Sequence, residues 1–253
     1  MLQKKVRKIL KENERIDDLQ INNLKIIQNK DGFCFGIDSI LLSEFAKDIR
    51  DGSKVIDLGT GTGILGFLLL AKTKIKEVTG IEVQADVADM AKRSIELNGL
   101  ENKFKIINCN VKEILNDLER ESFDVVISNP PYKKDNTGGK NENSKKLISR
   151  HEVLADINDF IKTAKIVLKD RGTLYLVHRP ERLSDLFSAL KQNKIEPKKI
   201  RFVYSDKNSD VAKLVLIKAV KNGGEFLQVE KPLFIYEDGK YTDEVMKIYK
   251  QNN

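Results

Sequence analysis

The chain has 253 residues, 40% of them hydrophobic, and carries a formal net charge of +7. This suits one large α/β domain, or one domain with small additions, and leaves ample material for a core. The longest apolar stretch, Ile64 to Ala71, is far too short to span a membrane, and no apolar run follows the basic start, so no secretory signal is expected.

Residues 1–18 read as a short basic helix running into Asn13-Glu14-Arg15-Ile16-Asp17-Asp18. Leu24 to Gln28 reads as a strand, Asp31-Gly32 as a turn, and Phe33-Cys34-Phe35 as a returning strand. Gly36-Ile37-Asp38-Ser39 opens a helix that Asp38 or Ser39 can cap. This hairpin and helix either lid a pocket or simply pack on the core.

Lys54 to Leu58 is the first core strand. Gly59-Thr60-Gly61-Thr62-Gly63 follows, then an apolar helix from Ile64 to Ala71. Glycines let the backbone turn sharply beside a ligand, and a helix N-terminus offers free N–H groups. Two fingerprints overlap here. Gly61 to Gly66 satisfies the dinucleotide pattern, whereas Asp57 to Gly63 satisfies that of S-adenosylmethionine (SAM) enzymes. An acid at position 57 pairs with an amino group and repels a pyrophosphate. Glu82 ends a second strand, Glu77 to Glu82, where a carboxylate can bind ribose hydroxyls in SAM or NAD alike.

Gln84 to Asn98 is a helix that exits at Gly99. Phe104 to Asn108 is the third strand, and Asn110 follows where a side chain can contact an adenine ring. Residues 111–120 form a short helix. The apolar run Phe123 to Ile127 is the fourth strand and leads into Ser128-Asn129-Pro130-Pro131-Tyr132.

Two prolines stop that strand, because neither donates to a sheet ladder, and Pro131 keeps Pro130 extended. An amide, a carbonyl and an aromatic ring are left at a strand's carboxyl end, where open α/β sheets bind ligands. The set suits methylation of a planar amine. The Asn129 oxygen and Pro130 carbonyl accept one N–H each, turning the delocalised lone pair toward a methyl donor, while Tyr132 stacks on the flat group. Orientation alone can lower a barrier by ~7–11 kcal/mol in good cases.

Residues 133–146 read as a polar loop, and Val153 to Lys169 as a helix preceded by Arg150-His151-Glu152. Gly172 to Val177 is strand five. It ends at His178-Arg179-Pro180, which opens a helix to about Gln192. Lys199 to Tyr204 and Ala212 to Ala219 form an antiparallel pair. Two short strand-like runs lie within 221–237, and Tyr241 to Tyr249 reads as a helix.

Charge is uneven. Residues 1–8, 133–146 and 191–201 are lysine-rich clusters of the kind that attract phosphate backbones. Cys34 and Cys109 are isolated, match no zinc spacing and suit a reduced cytoplasm. His151 and His178 cannot build a metal cluster unaided, so no metal is expected.

Over nearly its whole length the chain resembles the bacterial enzymes that methylate N6 of adenine 37 in a valine tRNA, within the methyltransferase small domain group. The segments that carry this are Asn13 to Leu19, Gly32 to Ser39, Asp57 to Gly63, Asn129 to Tyr132, Arg150-His151-Glu152 and His178-Arg179-Pro180. The resemblance implies a three-layer, Rossmann-like class I methyltransferase. Its sheet would be seven-stranded and mostly parallel, with an antiparallel terminal hairpin. It implies a SAM-binding domain at 51–220, a basic helix, hairpin and lid helix at 1–50, and a packed extension at 221–253.

The resemblance also implies roles. SAM would meet Phe35, Gly36, Asp38, Asp57, Gly59, Thr60, Gly61, Gly63, Glu82, Val83, Asn110, Val111 and Asn129. Asn129, Pro130, Pro131 and Tyr132 would hold the amine, and Tyr132, Arg150, His151 and Arg179 would hold the tRNA. Asn110 departs from the acid usual at that position. Other readings share some features: methylation of a release-factor glutamine or of guanine N2 in ribosomal RNA, a nicotinamide oxidoreductase, or a non-enzymatic RNA-binding protein.

Overall fold

The computed structural model describes residues 9–30, 36–116, 118–132 and 155–250. The chain opens with β1 (Glu14–Asp18) and β2 (Lys25–Asn29), an antiparallel pair with Ile16 opposite Ile27. There follow α1 (Ile37–Phe45), β3 (Lys54–Leu58), α2 (Ile64–Lys72), β4 (Glu77–Glu82), α3 (Ala85–Asn98) and β5 (Phe104–Asn108). A 3-10 turn (Val111–Asn116) leads to β6 (Phe123–Ser128), α4 (Ile157–Val167), β7 (Leu168–His178), α5 (Leu183–Gln192), β8 (Ile195–Asp206) and β9 (Leu214–Lys221). The described chain closes with β10 (Gln228–Val229), β11 (Leu233–Glu237), β12 (Lys240–Tyr241) and α6 (Asp243–Lys250).

The sheet runs β12-β11-β8-β9-β7-β6-β3-β4-β5, with β10 also on β8. Strands β3 to β7 are mutually parallel, and β9 enters antiparallel between β7 and β8. The expected class and terminal hairpin are therefore present. Among the described residues the sheet has ten strands, not seven, because the C-terminal segment adds β10 and β11 beside β8 and β12 beside β11.

Both faces are buried, which is why the strands read as continuous apolar runs. Val55, Val125 and Ile127 pack on the side of α1, α2, α3 and α6. Ile56, Leu58 and Val126 pack on the side of α4 and α5. Each such fully buried side chain stabilises the fold by about 1.5–3 kcal/mol.

Several boundaries differ from the sequence reading. Residues 14–18 are a strand, not the end of a helix, and β2 pairs with that strand. The other edge of β2 is satisfied by α3. Ile27 N–H donates to Ser94 Oγ at 2.8 Å and Lys25 N–H to Asn98 Oδ1 at 2.9 Å. The returning strand expected at 33–35 and the basic helix expected before residue 9 lie outside the described residues. Helix α1 is capped by Gly36 without a side-chain bond, so neither Asp38 nor Ser39 caps it. Helix α4 begins at Ile157 instead of Val153, since Asp156 and Asp159 form a reciprocal capping box there. Tyr241 belongs to β12, and α6 starts two residues later.

Gly66 shows how tightly the first crossover is packed. A Cβ there would sit 2.3 Å from Phe104 Cζ, with Phe67 edge-on to the same ring at 5.3 Å. Gly→Ala inside a helix ordinarily gains up to ~1 kcal/mol. Here overpacking reverses the sign. Gly66→Ala is expected to lower unfolding free energy by about 1–3 kcal/mol in urea titration, and Phe104→Leu in the same chain to recover part of the loss.

Candidate active site

The site follows from strand order. β3 has β4 on one side and β6 on the other, so the connections leaving β3 and β6 diverge at one point. Asp57 stands beside Ile127 in the ladder, and Ser128 Oγ donates to the Leu58 carbonyl at 2.6 Å. The glycine loop after β3 and the Asn-Pro-Pro-Tyr segment after β6 therefore leave the sheet side by side. The tips of β4, β5 and β7 add Glu82, Asn110 and His178 at the same end.

In the glycine loop, Gly59, Gly61 and Gly63 take φ of 74°, 57° and 90°, a region that other residues rarely adopt. A Cβ at Gly61 would meet nothing within 4 Å, so that stretch of backbone borders open space. Asp57 is fully buried. Its Oδ2 accepts from Thr60 Oγ1 at 2.6 Å, whereas its Oδ1 has no hydrogen-bond partner. Burial pushes the Asp57 carboxyl up to about 7; the Thr60 bond opposes this and the Glu82 charge adds to it.

Glu82 is also buried, which raises its carboxyl. It accepts from Gly61 N–H and from Gln84 N–H, both at 2.9 Å. Asn108 Nδ2 donates to the Glu82 carbonyl at 2.8 Å and fixes that strand tip. Val83 is exposed, Asn110 and Val111 are buried, and Asn110 Oδ1 accepts from Lys112 N–H at 3.0 Å.

After β6, Pro130 is buried and Pro131 exposed. The Tyr132 hydroxyl lies 2.7 Å from both Asp38 Oδ2 and Asn129 Oδ1. Its ring meets His178 edge-on at 5.2 Å, and the Arg179 guanidinium sits 5.0 Å above it. Burial holds the His178 imidazole below its usual range and raises the Tyr132 phenol, so the ring is neutral and the phenol keeps its proton. Asn129 Nδ2 lies 3.4 Å from Ser39 Oγ.

Most of the expected site residues thus converge on one end of the sheet. Phe35, Arg150 and His151 lie outside the described residues. Asp38 contacts Tyr132, and Arg179 braces Tyr132 while donating to the Lys213 carbonyl at 3.1 Å. Sequence reading missed Ser39 at Asn129 and His178 against Tyr132. The available signal for His178 was its place at the tip of the strand neighbouring β6.

Two of the basic clusters, 1–8 and 133–146, fall outside the described residues. The third sits at the amino end of β8, away from the site, because β8 runs parallel to β7. Its charges are largely taken. Lys191 bonds Glu196, Lys199 bonds Glu230, Arg201 bonds Glu244, and Lys198 bonds the Gly224 carbonyl. That cluster therefore adds little to the case for a phosphate backbone. Among the described residues, no group of three or more His, Cys, Asp or Glu is placed to hold a metal, and no helix is long and apolar enough to cross a membrane.

The family described as methyltransferase small domain matches residues 36–194, well over half of the chain. The chain belongs to that family. Among relatives of this small-domain methyltransferase is a tRNA1(Val) (adenine(37)-N6)-methyltransferase of Flavobacterium johnsoniae. It is 22% identical over 92% of this chain and 97% of its own length. A protein of the same name from Aliivibrio salmonicida is 20% identical over 86% and 89%. Among solved structures, one described as a predicted O-methyltransferase from Agrobacterium tumefaciens superposes with a TM-score of 0.67 at 23% identity, covering 85% of this chain and 96% of that one. Pyrococcus horikoshii TYW2 in complex with MeSAdo gives 0.58 at 14% identity, covering 84% and 73%. These likenesses establish the methyltransferase fold.

The raised Asp57 carboxyl has a consequence for stability. Between 3.8, its ordinary value, and about 7 the unfolded chain releases a proton that the folded chain keeps. The folded state binds more protons in that window, so this group lowers stability as pH rises through it, and the loss is constant above. Asp57→Asn is expected to gain stability over the parent progressively from pH 4 to 7, with no further gain by pH 8. Paired urea titrations check it, and a difference independent of pH would contradict it.

Proposed function

We propose that this chain is a SAM-dependent methyltransferase that modifies N6 of an adenine in tRNA, adenine 37 of a valine tRNA, in the cytoplasm. The observation that carries the reading is the adjacency of two strand tips. An acid and glycine loop on β3 stand beside Asn129 to Tyr132 on β6, with Asp57 next to Ile127. The names of the full-length relatives supply the substrate.

The residues present fit the cofactor. Asp57 Oδ1 is a buried carboxylate oxygen with no partner, which suits a cationic amino group. Glu82 uses both oxygens on backbone N–H groups, and each oxygen keeps a lone pair for a ribose hydroxyl. Gly59, Thr60, Gly61 and Gly63 form the floor, and Gly36, Val83, Asn110 and Val111 the remaining walls. When bound, SAM supplies the methyl group.

In this reading Asn129 Oδ1 and the Pro130 carbonyl accept the two N–H bonds of the adenine amine, and Tyr132 offers its ring to the base. Pro131 stiffens that turn. The base leaves its stack at a cost of a few kcal/mol, which a partly unstacked loop reduces. Arg150, His151 and Arg179 contact the RNA. Residues 51–220 form the catalytic domain, flanked by 1–50 and 221–253.

Purified protein, methyl-labelled SAM and tRNA test this. We expect label in N6-methyladenosine of tRNA. Asn129→Ala is expected to lower the rate roughly 100-fold or more, with SAM binding retained. Label confined to a release factor or ribosomal RNA would overturn the substrate. Calorimetric binding of NAD in place of SAM would overturn the reaction class.

A further inference from the structure

We infer that Asp38 is a positioning residue that sets the orientation of the Asn129 amide through the Tyr132 hydroxyl. The inference rests on reading the site as an amine-methylating centre. Its basis is a count of protons. The phenol has one, and two oxygens, Asp38 Oδ2 and Asn129 Oδ1, each stand 2.7 Å from it.

A carboxylate accepts a hydroxyl proton about twice as strongly as a neutral carbonyl does. The proton therefore points at Asp38. The phenol oxygen then turns lone pairs toward Asn129, where an amide oxygen is repelled and an amide NH2 is bonded. Oxygen and nitrogen of an amide exchange places by a simple flip, and the network decides between them. With Nδ2 toward the phenol, Oδ1 occupies the place 3.4 Å from Ser39 Oγ. The oxygen is then released from Tyr132 and, with the Ser39 hydroxyl beside it, keeps a lone pair to accept a substrate N–H. Without Asp38 the phenol proton falls on Asn129 Oδ1 and occupies the acceptor the reaction needs.

The surroundings hold this relay in place. Asp38 and the buried Ser39 lie in the first turn of α1. The Tyr132 ring contacts both His178, in a T-shaped pair, and the Arg179 guanidinium, which is itself tied to the Lys213 carbonyl. Asp38 and Tyr132 are 94 residues apart in sequence, so α1 packs as part of the amine site and not only as cover.

Three variants test the relay: Asp38→Asn, Tyr132→Phe and the double variant. Asp38→Asn should lower kcat for tRNA methylation roughly tenfold or more, with KM for tRNA and the SAM dissociation constant within about twofold. Adding Asp38→Asn to Tyr132→Phe should cost nothing further, because the phenol that transmits it is gone. Weaker SAM binding at unchanged kcat would make Asp38 a cofactor ligand and overturn the inference. So would an equal loss from Asp38→Asn in both backgrounds. Side-chain amide NMR gives a readout without substrate. The Asn129 NH2 pair, identified by its absence in Asn129→Ala, should shift in Asp38→Asn and in Tyr132→Phe. An unshifted pair in Asp38→Asn overturns the relay even if wild-type protein fails to label tRNA, an outcome that counts against the proposed substrate alone.

Discussion

A hydroxyl on β6, Ser128 Oγ, donates to the carbonyl of Leu58 on β3 at 2.6 Å. This bond joins the last residues of two parallel strands whose outgoing chains part in opposite directions. A crevice at such a point follows from topology, because the two connections leave the sheet in opposite directions. Everything proposed for the site depends on it. One exit supplies glycines and a buried acid, the other an amide, two prolines and a tyrosine. Shifting either strand by one residue would turn Asp57 or Asn129 to the wrong face.

The second constraint is electrostatic. Asp57 and Glu82 are both buried at the tips of neighbouring strands, and water solvates neither well. Glu82 is compensated by backbone N–H groups, whereas Asp57 keeps one oxygen bare. A bare buried carboxylate weakens a fold unless something binds it. Its retention is reasonable in a binding protein, where the partner arrives with the ligand. The same logic runs through Tyr132, a half-buried phenol whose hydroxyl is met by side chains from two different segments, Asp38 and Asn129.

The central fold was legible because its strands are short apolar runs bounded by glycine, proline or charge. Lys54–Leu58 and Glu77–Glu82 fall where their composition puts them. β1 is not legible as a strand because its sequence, Glu-Arg-Ile-Asp-Asp, is nearly all polar and it pairs on an edge. The extra strands were hidden for a different reason. β10 and β11 fall within 221–237, where two strand-like runs are expected, but nothing local tells that they join the main sheet, and β12 has two residues, too few for any periodicity. The lysines of 191–201 looked like an RNA contact because composition counts charges without showing which acids fold onto them. Glu230 and Glu244, distant in sequence, neutralise two of these cations. The motif residues of the site stood out in sequence, but the contact of Asp38 with Tyr132 did not, because no local pattern encodes it.

These strands converge on one claim, that the amide and carbonyl at the tip of β6 hold an adenine amine beside a methyl donor. Mass spectrometry of nucleosides from tRNA of a strain lacking the gene tests it most directly. The account predicts loss of N6-methyladenosine at one tRNA position, restored by the intact gene and not by one encoding Asn129→Ala. An unchanged N6-methyladenosine content, or full restoration by the Asn129→Ala gene, would contradict it.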